Sequence, residues 1–193
     1  MNPETERHPL EPFLPSNAVL LMLGSFPPQK KRWSIDFYYP NMQNDMWRIF
    51  GHLFFNDKEH FILPSKKAFN KELIISFLNE KGIAIFDTAT TVRRLKDNAS
   101  DKFLEVVEPT DIRDLLNKIP NCIGIATTGQ KATDIIRMQI DVEEPKVGSC
   151  QPFIFEGREM KFFRMPSSSR AYPLSLDKKS DAYKVMFNDL ALL

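Results

Sequence analysis

Ala18-Val19-Leu20-Leu21-Met22-Leu23 runs without a break into Gly24-Ser25-Phe26-Pro27-Pro28. A short apolar run that stops at a glycine has the length and composition of a strand buried on both faces. The small, proline-bearing segment after it is the loop leaving the carboxyl end of that strand. The pattern recurs near the other end of the chain, where Lys161-Phe162-Phe163-Arg164 leads into Met165-Pro166-Ser167-Ser168-Ser169-Arg170. In an open α/β sheet ligands bind outside the carboxyl ends of the strands, and loops from two distant strands can share one crevice there. Compact hydroxyl residues and prolines let the backbone lie close to a phosphate, which points to a nucleotide or a nucleic acid.

Between and around these two loops the periodicity alternates between strand and helix. Met46, Trp47, Ile49, Phe50 and Leu53 recur at helical spacing and predict a helix over Gln43 to Phe54. A second helix is expected from Lys66 to Lys81, with Gly82 as its stop, and Ile83-Ala84-Ile85-Phe86, ending at Asp87, is a buried parallel strand. Thr110 is placed as the N-cap of a helix reaching Ile119; Cys122 to Ala126 is a strand, and Gln130 to Met138 a helix. Phe153 to Arg164 reads as a hairpin turning at Glu156-Gly157-Arg158, and Asp177 to Leu192 as a closing amphipathic helix. The expected architecture is a three-layer α/β/α domain with a central, mostly parallel, four-stranded sheet. Residues 1 to 17, with Pro3, Pro9, Pro12 and Pro15 and no apolar period, form an extended lead-in, and residues 18 to 193 a single domain.

Composition narrows the class. At 193 residues, 42% of them hydrophobic, the chain suits one globular domain, and no segment has the roughly 20 apolar residues of a membrane span. The polar start carries no apolar stretch of secretory type, so the expected location is cytoplasmic. Cys122 and Cys150 have no ligand spacing and read as small buried hydrophobes, and His8, His52 and His60 lack a second ligand at helical spacing; no metal site and no cofactor are expected. The 26 basic residues nearly balance the 25 acidic ones. Lys30-Lys31-Arg32, Arg93-Arg94, Lys96 and Arg170 nevertheless fall at strand-end loops, where their convergence makes a basic face for DNA; the alternative is a set of solvated loop charges.

The segment Phe37-Tyr38-Tyr39-Pro40-Asn41-Met42-Gln43-Asn44-Asp45-Met46-Trp47 concentrates aromatics and amides. Aromatic faces stack on an unstacked base and amides read its edge. Trp47, on the apolar stripe, belongs to the core, and Tyr39, outside the helix and next to Pro40, to a pocket. Taken in order, Gly24-Ser25-Phe26-Pro27-Pro28, the Tyr38 to Trp47 segment, Gly82 to Asp87 and Met165 to Ser169 resemble the uracil-DNA glycosylase superfamily, nearest its mismatch-specific uracil/thymine and hypoxanthine-DNA glycosylase branches. The resemblance covers the chain from about Ala18 to Leu193.

That resemblance implies a metal-independent hydrolase of base excision repair, which flips a deaminated base, uracil or hypoxanthine, out of DNA and cleaves its N-glycosidic bond. It implies a base pocket built from Gly24, Ser25, Phe26, Pro27 and Tyr39. DNA contacts fall to Lys31, Arg32, Pro166, Ser167, Ser168, Ser169 and Arg170, the last as a wedge. In the mismatch-specific branch an Asn, and in the uracil-specific branch an Asp, holds the attacking water from the third place of the first motif. Here that place is Phe26, which cannot orient water. The hypoxanthine-type branch starts Gly-Ser-Phe-Pro and uses an Asn of the downstream segment, matched here by Asn44 and secondarily by Asn41, with Asp87 an ionisable reserve or a cap. DNA is the expected partner, and the chain is expected to act as a monomer away from membranes. Two other readings stand beside this one: a DNA-binding module of the same fold without catalysis, and a nucleotide hydrolase with a nucleophile at Ser167 or Ser168.

Overall fold

The structure is a computed structural model that describes residues 4–65, 67–96 and 101–193. In chain order the elements are β1 (Thr5–Arg7), β2 (Leu20–Gly24), α1 (Met46–Phe55), β3 (Ile62–Leu63), β4 (Ala68–Phe69), α2 (Lys71–Lys81), β5 (Ile83–Asp87), β6 (Ala89–Arg94) and β7 (Leu104–Pro109). They continue with α3 (Ile112–Lys118), β8 (Gly124–Thr128), α4 (Gln130–Arg137), β9 (Ser149–Phe155), β10 (Arg158–Met165) and α5 (Leu176–Asp189).

The central sheet has the order β5-β2-β8-β10-β9, and helices flank it. Four of its strands, β5, β2, β8 and β10, are mutually parallel, and these are the four that the apolar runs predict. The fifth, β9, is antiparallel to β10. It lies on the sheet edge because Glu156 and Gly157 both take positive φ, 49° and 81°, and so close a two-residue hairpin whose twist matches its strands. Every residue of β2, β5 and β8 is buried, as parallel strands covered on both faces must be. Gly24 pairs with Asp87 and Met165 with Thr128, so the carboxyl ends of all four parallel strands finish at one level.

Phenylalanine supplies much of the cover on one side. Phe50 packs against Phe77 and Phe187 at ring-centroid distances of 5.9 and 5.2 Å, and Phe54 meets the same two rings at 4.9 and 5.0 Å, which joins α1, α2 and α5. Such edge-to-face pairs add to the large apolar area each ring removes from water. Cys122 is fully buried, as expected of a small hydrophobe, whereas Cys150 is only half-buried.

Three features depart from expectation. A second, antiparallel sheet of order β1-β6-β7 stands beside the first, with β1 drawn from the opening segment. Residues 4–17 are extended but packed into the domain: Phe13 bridges to Ile85, and the Arg94 guanidinium grips both Glu6 oxygens at 3.0 and 3.1 Å. Its prolines remove backbone donors without preventing an edge strand. The second helix begins at Lys71, capped by Asn70, whose side chain accepts from the Leu73 N–H; Lys66 lies outside the described residues. The third correction concerns Thr110. Asp111, not Thr110, caps α3 by accepting from the Asp114 N–H, because the Thr110 hydroxyl is committed to the Asp87 carbonyl at 2.6 Å.

Candidate active site

A cavity of about 920 Å³ opens at the carboxyl ends of the parallel strands. The Gly24-to-Pro28 loop, the Tyr38-to-Asn44 segment and the Ser167-to-Arg170 loop wall it together. The two strand-end loops, far apart in sequence, therefore do meet in one crevice, and the register of the sheet is the reason.

Gly24 and Asp87 form the floor. Asp87 is buried; its Oδ2 accepts from His8 Nε2 at 2.9 Å, and its Oδ1 lies over the bare Cα of Gly24, 2.5 Å from where a Cβ would stand. No side chain fits at position 24 without moving that carboxylate. The Asp87 side chain is thus bound to His8 and caps no helix. His8 sits just beyond β1, its amide bonded to the Thr90 carbonyl at 2.8 Å, and its ring packs among Phe26, Tyr38 and Phe86 at 4.7 to 6.1 Å. Phe26 is half-buried, lines the cavity, and also packs on the small apolar cluster of Ala89, Val92 and Leu104.

The aromatic–amide segment divides as its residue types suggest. Trp47 is buried completely, with its indole N–H on the Tyr38 carbonyl at 3.1 Å. The Tyr38 hydroxyl donates to the Glu11 carbonyl at 2.7 Å, and burial, reinforced by the nearby Asp87 charge, pushes its ionisation far above the ordinary phenol range. Tyr39 faces the cavity. Its φ is +48°, a conformation that costs a non-glycine residue energy and is retained where the site needs the side chain aimed. The ring is held edge-on against Trp47 at 6.0 Å and by a hydroxyl–hydroxyl contact with Thr128 of 3.2 Å. Asn41 and Asn44 both line the cavity in local turns: Asn41 Oδ1 accepts from the Gln43 N–H and Asn44 Oδ1 from the Met46 N–H, each at 2.9 Å. Those turns delay the helix to Met46, three residues after the predicted start.

The serine loop is fastened to this segment by backbone and by charge. The Asp45 amide donates to the Ser168 carbonyl at 2.8 Å, the Arg170 amide to the Gln43 carbonyl at 3.0 Å, and Asn44 bridges to Ser169. Asp45, 6% exposed, is the hub: Arg170 Nε donates to its Oδ1 at 2.8 Å, with Lys179 Nζ at 3.6 Å and Arg48 Nη1 at 3.7 Å. Lys179 also donates to the Ser169 carbonyl at 2.8 Å; burial lowers its ionisation below the usual lysine range, and the neighbouring Arg170 charge acts in the same direction. Ser168 is buried, the Ser167 hydroxyl accepts from the Ser169 amide at 3.3 Å, and the Ser169 hydroxyl accepts from the Ala171 amide at 3.2 Å.

Arg32, Arg94 and Arg170 reach the cavity, joined by Lys102, so cations from three connections, those after β2, β6 and β10, converge on it. Of the other residues expected to touch DNA, Lys31 is exposed outside the cavity wall, and Pro166 lies behind it with its carbonyl accepting from the Tyr183 hydroxyl at 3.0 Å. Arg170 lies along the rim in its ion pair with Asp45. His8, Thr128 and Lys102 escaped the sequence reading. No local motif marks them: His8 and Thr128 arrive through strand pairing between segments far apart in the chain, and Lys102 lies in the connection between β6 and β7. Among the described residues no group of three or more His, Cys, Asp or Glu could hold a metal ion, and no helix is long and apolar enough to cross a membrane.

No protein-family model and no curated protein matches this chain. Among solved structures it is similar to the solution NMR structure of a "putative Uracil DNA glycosylase" from Methanosarcina acetivorans. That likeness has a TM-score of 0.65 and 22% sequence identity, and covers 97% of this chain and 99% of the other. At this identity the likeness is one of fold, and it spans both ends of the domain.

Proposed function

We propose that this protein is a metal-independent DNA glycosylase that extrudes a deaminated base, uracil or hypoxanthine, from DNA and hydrolyses its N-glycosidic bond in base excision repair, acting in the cytoplasm as a monomer. The observation that carries the reading is the meeting of Gly24 to Pro28, Tyr39, Asn44 and Ser167 to Arg170 around one cavity at the strand ends. The likeness in fold to a structure described as a "putative Uracil DNA glycosylase" supports it.

The chemistry asks for few groups. As the bond breaks, the sugar gains oxocarbenium character and the base leaves with negative charge, so the site must hold a water, stabilise the departing base and exclude solvent. Asn44 suits the first task, with Asn41 beside it. An amide oxygen has two acceptor sites, and the Met46 N–H occupies one at 2.9 Å, leaving the other for water on a side chain already immobilised. Tyr39 offers a fixed aromatic face to the extruded base, and Gly24, Ser25, Phe26 and Pro27 a close-fitting wall. The serine loop with Lys31, Arg32, Pro166 and Arg170 follows the phosphate backbone, and Asp87 is the ionisable reserve at the floor. Flipping costs a few kcal/mol, least for a mispaired base, and these contacts offset it.

Phe26 is the specific observation behind a second reading, a DNA-binding module without catalysis, since a phenyl ring stands where the mismatch-specific and uracil-specific branches that the sequence resembles carry a water-holding side chain. The serine-nucleophile reading loses ground because both ring nitrogens of His8 are engaged, by Asp87 and Leu10, and leave none for a serine. The test is incubation with labelled oligonucleotides containing uracil, hypoxanthine, xanthine or a G·T mispair, followed by alkaline cleavage of abasic sites, with and without a chelator. Strand breaks unchanged by chelation are expected; tight binding without breaks would replace this reading with the non-catalytic one.

A further inference from the structure

We propose that His8 is a positioning residue for Asp87 and that the two side chains work as one unit at the cavity floor; the catalytic consequence rests on the glycosylase reading above, the unit itself on geometry alone. The side chains are 4% and 10% exposed, and the Nε2 to Oδ2 distance is 2.9 Å. An ionised carboxylate can only accept, so Nε2 carries the proton of this hydrogen bond. Nδ1 then has two possible partners on one residue, the Leu10 N–H at 3.1 Å and the Leu10 carbonyl at 2.9 Å. A neutral ring accepts from the N–H, and a cationic ring donates to the carbonyl. The imidazole therefore keeps a partner on each side in either protonation state and holds Asp87 through both.

Holding matters because of what the other carboxylate oxygen does. With Oδ2 tied to His8, Oδ1 is directed over Gly24 at the cavity wall, and the Asp87 backbone is fixed by the Thr110 hydroxyl at 2.6 Å and by pairing with Gly24. Backbone and one oxygen fixed leave the second oxygen a single place. A carboxylate free to turn about its side-chain torsions would present that oxygen only part of the time, and misplacement of about 1 Å can cost roughly 10²-fold in rate. The ring is delivered by β1, which the Arg94–Glu6 ion pair locks to β6, and the same guanidinium reaches the Pro27 carbonyl at 3.2 Å. The opening segment, the first loop and the floor carboxylate are thereby one rigid assembly.

Two substitutions separate hydrogen bonding from packing. His8→Phe keeps the ring among Phe26, Tyr38 and Phe86 but removes the donor; His8→Gln restores an N–H at the Nε2 position. Single-turnover base release is expected to fall about 10²-fold in His8→Phe and to recover most of that loss in His8→Gln, at closely similar melting temperatures. Equal release by the two variants, or release by His8→Phe at the wild-type rate, would overturn the proposal. A second measurement needs no activity and no substitution of His8. In nitrogen-edited NMR of the wild-type protein the His8 Nε2–H is expected to be protected from solvent exchange, with protection lost in Asp87→Ala. Absence of protection in the wild type, or its persistence in Asp87→Ala, refutes the unit. If the wild type releases none of the bases tested, the glycosylase reading fails, and the NMR result still decides the pairing.

Discussion

Gly24→Ala tests the floor of the cavity most directly. The backbone at Gly24 is ordinary extended strand, so the substitution carries no conformational penalty of its own and should even stabilise by about 0.4–1 kcal/mol through the unfolded chain. The added Cβ, however, would stand 2.5 Å from Asp87 Oδ1, against about 3.4 Å for an ordinary contact, and the carboxylate must retreat by roughly 0.9 Å. Gly24 and Asp87 are paired across adjacent buried strands, so the side chain must yield, and the 2.9 Å bond to His8 goes with it. Overpacking of this kind costs about 1–3 kcal/mol and a lost hydrogen bond about 1 kcal/mol more. The net expectation is a loss of about 2 kcal/mol, or roughly 4–8 °C in melting temperature for a domain of this size. Denaturant titration of the wild type, Gly24→Ala, Asp87→Ala and the double variant forms a thermodynamic cycle. In the Asp87→Ala background the Cβ has no carboxylate to strike, and Gly24→Ala should cost almost nothing. A full-sized loss in that background, or a change under about 0.5 kcal/mol in the wild-type background, would refute the geometry.

Asn44→Ala should lose about 1 kcal/mol of stability with its turn to Met46 and lower single-turnover base release by about 10²-fold; a normal release rate with the stability loss would leave the side chain only its structural turn. Arg170→Ala should cost no more than about 1 kcal/mol, because the Arg170 side chain is half-exposed and Arg48 and Lys179 remain beside the buried Asp45. The same variant should weaken duplex binding and reduce its dependence on salt, which a fluorescence titration at several ionic strengths would measure; an unchanged salt slope would exclude a phosphate contact. Lys161 is held above the usual lysine range by its hydrogen bond to Asp189. A raised value in the folded state means stability that is complete below the unfolded lysine range and lost as pH climbs through the folded one. Lys161→Met should accordingly flatten the alkaline limb of the stability profile, as followed by thermal melts across that range.

How much of this was legible in advance depended on how locally each feature is encoded. The parallel strands are built on apolar runs, as burial on both faces demands, so Leu20–Gly24, Ile83–Asp87, the Gly124-to-Ala126 part of β8 and the end of Arg158–Met165 stand out from the chain alone, whereas the two threonines that complete β8 lie beyond the run expected over Cys122 to Ala126. The hairpin around Glu156-Gly157-Arg158 is legible because glycine accepts positive φ without strain, with Arg158 already the first residue of β10, and helical spacing assigns Trp47 to the core. The cavity loops were visible as the small, hydroxyl-rich and proline-rich segments that follow strands. The second sheet was not. β1 and β6 are short and polar on one face, Thr5-Glu6-Arg7 against Ala89 to Arg94, and they are held by pairing, β1 with β6 and β6 also with β7. The Thr110 hydroxyl had two plausible tasks, and only the position of the Asp87 carbonyl decided between them.

The same division holds at the site. Residue types and order alone determined which loops wall the cavity, because glycine, serine, asparagine and tyrosine mark those segments by small size, compact donors and an aromatic face. Which groups meet was decided by tertiary structure: the register that sets Gly24 against Asp87, the strand that brings His8 across 79 positions to the same carboxylate, and the buried Asp45 that draws Arg170 along the rim. A hydrogen bond or ion pair between distant segments leaves no trace in local periodicity, since either partner alone has the composition of an ordinary solvated side chain. Burial of a partner, His8 and Asp87 in one pair and Asp45 in the other, removes the water that would otherwise satisfy it and makes the pairing obligatory.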